Sequence, residues 1–205
     1  MVMKHFVIAL LMLLPVAASA QDNTCEMPEA STTTAANPDA KYLAGAVPEV
    51  DGRVLFSTTI NAPGKSAKQI YDLLKAELIR LTKESNQFEQ SRLTLSDSTN
   101  YQLAGSYQEW LVFKNRALSL DRTRMFYNII ADCSDGKAEI KLTRIHYLYD
   151  EERTPTTYKA EEWITDRWGL NKKKTKLARV SGKFRRKTID RKDYLFNRFN
   201  NLLTK

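Results

Sequence analysis

The chain has 205 residues, of which 42% are hydrophobic and 27% charged, and its 32 basic side chains outnumber its 24 acidic ones. This length is enough for one domain with its own core, and the low content of glycine and proline excludes collagen-like and wholly disordered chains. Two histidines, His5 and His146, and two cysteines, Cys25 and Cys133, are too few for a protein-only zinc finger or a disulfide-dense scaffold.

Residues 1–20 have the pattern of a secretory signal peptide. A positive start precedes an apolar stretch over 6–14, and the small residues Ala18 and Ala20 match the site that signal peptidase cleaves. The apolar stretch is too short to span a bilayer, and an uncleaved N-terminal anchor is the alternative. The sequence therefore predicts an exported protein, periplasmic or extracellular, with cleavage before Gln21.

Export bears on the two cysteines, because disulfides persist in oxidising compartments. A bridge between Cys25 and Cys133 would close a long loop and contribute about 4.7 kcal/mol in the chain-entropy model. The alternative is an unpaired Cys25 and a buried Cys133. We favour this alternative, because the strand register proposed below points the Cys133 side chain into the core.

Residues 21–50 hold few large apolar side chains and are rich in alanine, threonine and proline. A segment of this composition buries too little surface to offset the entropy of ordering it. We therefore expect a flexible linker over 21–50, followed by a single domain over 51–205 that ends in a basic helical segment.

A strand and a helix open the predicted domain. The strand is predicted over 53–61, where apolar residues fall on one side of an extended segment. Ser66 and Gln69 then have the spacing of a capping box, which favours the start of a helix. The helix is predicted over 67–83, with an apolar side that packs onto a sheet and consists of Ile70, Leu73, Leu74, Leu78 and Leu81.

Four strands are predicted after this helix. The first lies at 93–95, and the second ends in the apolar run 110–113, which suggests burial on both faces of the sheet. The third and fourth form a hairpin around Asp135 and Gly136, because a two-residue type I′ turn there pairs apolar residues on one face. These pairs are Cys133 with Ala138, Ala131 with Ile140, and Ile129 with Leu142.

The apolar alternation changes phase near 143–144, which one inserted residue would explain, so we expect a β-bulge there. A short helical stretch follows at 160–164. The last helix is predicted to begin after Asp190, with an apolar stripe of Leu195, Phe196, Phe199, Leu202 and Leu203. The order β-α-β-β-β-β-α indicates an α+β fold, in which helices pack on an antiparallel sheet.

Six blocks of sequence carry a resemblance. They are GRVLF (52–56), PGKS (63–66), EWLVF (109–113), LSLDRTR (118–124), YKAEEWI (158–164) and GKFRRKTID (182–190). Together they resemble the bacterial domain-of-unknown-function 4468 family over nearly all of 51–205. The resemblance implies a fold like that of the TATA-box-binding protein (TBP) and an exported protein of a Gram-negative bacterium. The family has no established activity, so the resemblance supplies no catalytic residues, and a shared fold is no argument for DNA binding.

The most pronounced chemical feature is a basic segment over 172–187. It contains nine cations and no acid, so it accounts for the whole formal net charge of +8. Such a cluster attracts phosphate, lipid head groups or acidic glycans. We predict an anion-binding surface made of Lys172, Lys173, Lys174, Lys176, Arg179, Lys183, Arg185, Arg186 and Lys187. The alternative is a solvated surface whose cations neutralise nearby acids, namely Asp150, Glu151, Glu152, Glu161 and Glu162.

A hydrolase and a nucleic-acid binder are the alternatives to anion binding. A hydrolase would need His146 as its base, with Asp121 or Asp132 to orient the imidazole. No nucleophile motif or phosphate-binding loop accompanies this histidine, so we predict no catalytic residue, metal or cofactor. A nucleic-acid binder would combine the basic segment with the aromatic residues upstream of it, but export removes the usual targets and we do not favour it.

Overall fold

A computed structural model of the protein describes residues 37–116 and 119–205, and an antiparallel sheet runs through them. Its strands are β1 (Glu49–Val50), β2 (Arg53–Asn61), β3 (Arg92–Asp97), β4 (Gln102–Arg116), β5 (Ser119–Ser134), β6 (Lys137–Tyr149) and β7 (Thr156–Lys159). The strand order is β1-β2-β6-β5-β4-β3, and β7 pairs with the end of β6 that β2 does not reach. The helices are α1 (Ala67–Leu81) and α2 (Gly182–Leu203), with short 3-10 turns at Ala40–Tyr42 and Ala160–Glu162. The predicted α+β fold and element order are confirmed, with β1 and β7 as short additions.

Helix α1 begins where the capping box predicts. The Ser66 hydroxyl accepts a hydrogen bond from the Gln69 amide (3.3 Å), and the Gln69 side chain accepts one from the Ser66 amide (2.8 Å). These bonds satisfy amide groups that the first turn of a helix leaves without partners. The predicted apolar side of α1 is buried except for the half-buried Leu73, and the helix ends at Leu81, slightly before the predicted end at 83.

The β5–β6 hairpin has the predicted register, and the six apolar residues pair as expected. The turn itself is not type I′, because Gly136 has a φ of +74° whereas Asp135 does not have a positive φ. The Asp135 carboxylate accepts a hydrogen bond from the Ala67 amide (2.7 Å). The turn is therefore tied to the start of α1.

The predicted β-bulge is confirmed in β6. Asn128 pairs with Thr143 whereas Phe126 pairs with His146, so β6 carries one extra residue between these two pairs. Arg144 lies in the bulge with a φ of +55°, a conformation that residues other than glycine seldom adopt. The bulge reverses the alternation of the strand and places His146 on the more open face of the sheet.

One face of the sheet is buried and the other is partly open. The prediction that the run 110–113 is buried on both faces is wrong, since Val112 is 37% exposed. Alternate positions of β4, β5 and β6 are only half-buried. The core face contains fully buried large side chains, among them Leu103, Tyr107, Met125, Tyr127 and Tyr147.

Helix α2 begins at Gly182, well before the predicted start after Asp190. Its N-terminal half is buried through Phe184, Arg185 and Thr188, and two of these three side chains are polar. A pattern of apolar spacing does not detect a buried stripe that contains arginine and threonine, which explains the late prediction. Neither described helix is long and apolar enough to cross a bilayer.

The prediction of a flexible linker is wrong for residues 37–50, which pack onto the domain. Tyr42 is 8% exposed, and its carbonyl accepts a hydrogen bond from the buried Arg185 (2.6 Å). Residues 37–50 are held partly through their backbone carbonyls, which every residue has. The amino-acid composition of the segment therefore does not predict this attachment. Residues 21–36 and the predicted signal peptide at 1–20 lie outside the described residues.

A network of buried charges joins α1 and α2 to β4. Glu109 is 1% exposed, and Arg191 donates two hydrogen bonds to its carboxylate, both 2.7 Å long. Arg191 also contacts Glu84 (3.2 Å), while Arg198 binds both Glu84 and Glu77. Burial raises the pKa of Glu109, although Arg191 opposes the rise. The network fixes both helices to the sheet through charges that satisfy one another.

Candidate anion-binding surface

The nine cations of the basic segment have different environments. Lys183, Arg185 and Arg186 each form an ion pair with an aspartate at 2.7 Å. The other six form no ion pair with any residue that the structure describes, and all are exposed except the half-buried Lys187. These six are Lys172, Lys173, Lys174, Lys176, Arg179 and Lys187.

The acids proposed to neutralise the segment are not its partners among the described residues. Asp150 pairs with Arg153, Glu151 with Arg124, and Glu152 with Arg122. Glu161 accepts a hydrogen bond from the Val54 amide (2.9 Å). The three paired cations bind Asp121, Asp166 and Asp39 instead.

Arg185 is a structural residue and not part of an anion-binding surface. Its side chain is fully buried, and it donates to the carbonyls of Tyr42 (2.6 Å), Leu43 (2.6 Å) and Ile164 (2.7 Å). A fourth bond, to Asp166, measures 2.7 Å. Burial lowers the pKa of the guanidinium, and Asp166 opposes that change. The inclusion of Arg185 among the predicted anion-binding residues is wrong, because all its donors lie inside the protein.

Lys183 is also partly used by the fold. Its ammonium donates to Asp121 (2.7 Å) and to the Tyr149 hydroxyl (3.0 Å), and it lies 4.6 Å from the centroid of the Phe113 ring. Burial works to lower the pKa of Lys183, but the bonds to Asp121 and Tyr149 outweigh it and raise that pKa. Arg186 binds Asp39 and remains partly exposed.

Four of the unpaired lysines lie on a tight hairpin over 170–177, which we call the lysine hairpin. Leu170 and Leu177 form an isolated antiparallel bridge at its base. The Asn171 side-chain oxygen accepts hydrogen bonds from the amides of Thr175 (2.9 Å) and Lys176 (3.2 Å). These bonds hold the turn closed, so the ammonium groups of the hairpin project from a defined backbone.

The lysine hairpin packs against the start of α2. An added Cβ on Gly182 would lie 2.8 Å from the Leu177 Cβ, so the close approach requires glycine at this position. An opening of about 270 Å³ lies beside this contact, and we call it the basic cleft. Its lining consists of Phe113, Leu177, Ala178, Arg179, Gly182, Lys183, Arg186 and Lys187.

His146 lies on β6, on the more open face of the sheet. Its ring stacks on Phe126, with 4.4 Å between centroids, and its Nδ1 lies 3.3 Å from the Arg144 carbonyl oxygen. A wide opening beside it also contains Glu161 and Glu162. Neither of the predicted orienting acids contacts the imidazole. Asp121 binds Lys183, and Asp132 binds Gln102 and Lys141.

The Cys133 side chain points into the core, as the hairpin register predicts, and is 8% exposed. Burial raises the pKa of its thiol to about 11, and the nearby Asp132 adds to the rise. Cys25 lies outside the described residues, so a bridge between the two cysteines stays a prediction.

Sequence reasoning missed the apolar part of the surface. The run 110–113 predicts that Phe113 lies in a strand buried on both faces, and the predicted anion-binding residues are all cations. The sequence does contain a signal for it, because Leu177 and Ala178 stand between cations. An apolar pair in such a position indicates that one side of the segment packs against the protein. The position of Phe113 beside it depends on tertiary structure.

Comparisons with known proteins concern the fold. A family model described as a domain of unknown function (DUF4468) with TBP-like fold matches residues 56–148, a range that ends before the basic segment. A crystal structure of a DUF4468 family protein from Bacteroides ovatus is similar at 46% identity and a TM-score of 0.73, covering 78% of this chain and 91% of that one. A TBP-like protein from Parabacteroides distasonis has a TM-score of 0.63 at 20% identity, covering 77% and 96%, and shows the fold alone. The comparison with curated proteins finds no match.

Proposed function

The chain belongs to the DUF4468 family, whose description names a TBP-like fold and no activity, and from that premise we propose an exported module that binds anionic ligands of the cell envelope. Residues 1–20 direct export. The binding surface consists of the lysine hairpin, Arg179 and Lys187. Lys183 and Arg186 contribute at its margin, and the ligand is a lipid head group, a phosphate or an acidic glycan.

The observation that carries this proposal is the group of six cations without an ion pair among the described residues. Four ammonium groups lie within five residues of a closed turn, where like charges repel one another. An anion that binds there relieves this repulsion. Because the backbone of the hairpin is already ordered by Asn171, binding costs less conformational entropy than it would on a flexible tail.

Heparin, a sulfated polyanion, provides the first test. We expect the purified protein to be retained at about 0.05 M salt and released well below 0.5 M, because attraction between exposed charges is screened by salt. Replacing Lys172, Lys173, Lys174 and Lys176 together by serine lowers the slope of log affinity against log salt by about three.

The matched control removes the same charge elsewhere. Four exposed lysines lie outside the basic segment, namely Lys83, Lys114, Lys137 and Lys159. We expect their joint replacement by serine to leave retention on heparin nearly unchanged. Equal loss of retention in the two variants would show a response to net charge alone and contradict a defined surface. Retention that is absent in dilute buffer would also contradict it.

A further inference from the structure

We propose that the basic cleft takes the apolar group of a phosphate monoester, so that the preferred ligand is an anionic amphiphile; this proposal rests on the anion-binding function above. The lysine hairpin alone would serve for any polyanion. The cleft beside it has a different character, because apolar and cationic side chains line it together.

The apolar part of the lining consists of Phe113, Leu177 and Ala178, and we call it the floor of the cleft. The Phe113 ring packs on Phe184 with 4.6 Å between centroids, and Leu177 is held by its bridge to Leu170. The floor is therefore preformed and only half-buried. A volume of about 270 Å³ exceeds the roughly 150 Å³ of an apolar protein cavity that accommodates benzene. A purely polar anion would leave this apolar surface exposed to water.

The rim of the cleft sets the charge of the ligand. Lys183, Arg186 and Lys187 lie at i, i+3 and i+4 of α2, so they share one side of the helix. Asp121 neutralises Lys183 and Asp39 neutralises Arg186, which leaves Arg179 and Lys187 as the two cations of the cleft that pair with no acid in the described part of the chain. A phosphate monoester carries a charge of about −1.5 to −2 at neutral pH, which balances both of these cations, whereas the single charge of a carboxylate balances only one. Arginine also binds phosphate through two parallel hydrogen bonds.

Short alkyl phosphates test the proposal, because they carry one head group and differ only in apolar length. Burial of one methylene tightens binding by about fourfold. We expect the purified protein to bind hexyl phosphate at least tenfold more tightly than ethyl phosphate in isothermal titration calorimetry, and more tightly than hexanoate. Equal affinities for the two phosphates would overturn the amphiphile proposal. Tighter binding of hexanoate would overturn the phosphate assignment.

A variant that fills the cleft locates the apolar group. Ala178→Trp keeps the backbone bonds of this residue to Gly169 and Gly182 and places an indole on the floor. Val180→Trp is the control, since Val180 is 57% exposed and does not line the cleft. We expect Ala178→Trp to weaken the binding of hexyl phosphate at least tenfold and Val180→Trp to leave it unchanged. Both variants should still be retained on heparin.

The two proposals fail in different ways. If Ala178→Trp and Val180→Trp bind hexyl phosphate equally while heparin retention still depends on the lysine hairpin, the amphiphile proposal is wrong and anion binding stands. If the unmodified protein is not retained on heparin, anion binding itself is wrong. Should Ala178→Trp not fold, the comparison of ethyl with hexyl phosphate in the unmodified protein decides.

Discussion

Replacing Arg185 by methionine should destabilise the protein without weakening anion binding. Methionine keeps an unbranched apolar side chain of similar length and removes the guanidinium. The carbonyls of Tyr42, Leu43 and Ile164 then lose their donor, and the Asp166 carboxylate loses its cation. The residues from 37 to 47 are held to α2 partly through these bonds, so the change loosens them as well.

The four hydrogen bonds of Arg185 set the magnitude. Each bond to a charged group contributes about 1.5 to 3 kcal/mol, and their sum is an upper limit because neighbours relax and water enters. Removal of one partner from a buried ion pair costs about 3 to 5 kcal/mol. For a chain of this length, a loss of about 4 kcal/mol lowers the melting temperature by roughly 8 to 16 °C.

Urea denaturation followed by circular dichroism measures the loss, and heparin elution measures binding by the folded fraction. Lys187→Met is the control, because we expect it to weaken heparin binding without destabilising the fold. This half-buried side chain has no ion pair among the described residues. Its stability should change by less than about 0.5 kcal/mol, whereas its retention decreases. A loss of less than 1 kcal/mol in Arg185→Met, or a loss of retention by its folded form, would refute the structural role of Arg185.

Three further predictions concern other parts of the chain. The single variant Arg191→Met should lower the free energy of unfolding, measured in urea, by about 3 to 5 kcal/mol. The double variant Glu109→Gln/Arg191→Met should lower it by less, because this variant leaves no buried charge unpaired. Equal losses in the two variants would contradict the buried pair. In a Cys25→Ser variant, native Cys133 should react with iodoacetamide at pH 8 at least about 100-fold more slowly than in urea, since its raised pKa leaves little thiolate; similar rates would exclude a buried thiol. Protein recovered from the periplasm should begin at Gln21 by mass spectrometry, and an intact N-terminus would exclude cleavage there.

Local patterns predicted the parts of the fold that local interactions determine. The capping box at Ser66 and the hairpin register around Gly136 depend on neighbours in sequence, and both predictions are confirmed. The start of α2 and the packing of Tyr42 depend on Arg185, a polar residue whose burial is explained by carbonyls distant in sequence, two of them more than a hundred residues away. Charge counting was wrong about Arg185 for the same reason, because it cannot distinguish an arginine with buried partners from a lysine such as Lys174, which has no ion pair among the described residues.

The most direct test of the anion-binding surface is its location, and backbone amide shifts measure this in solution. A heparin hexasaccharide titrated into ¹⁵N-labelled protein should shift the amides of the lysine hairpin and of 179–187. Arg53, Arg144 and Lys159 form a second exposed basic group beside His146, and their amides should not move. Shifts confined to this second group, with those of 170–187 unchanged, would contradict the account.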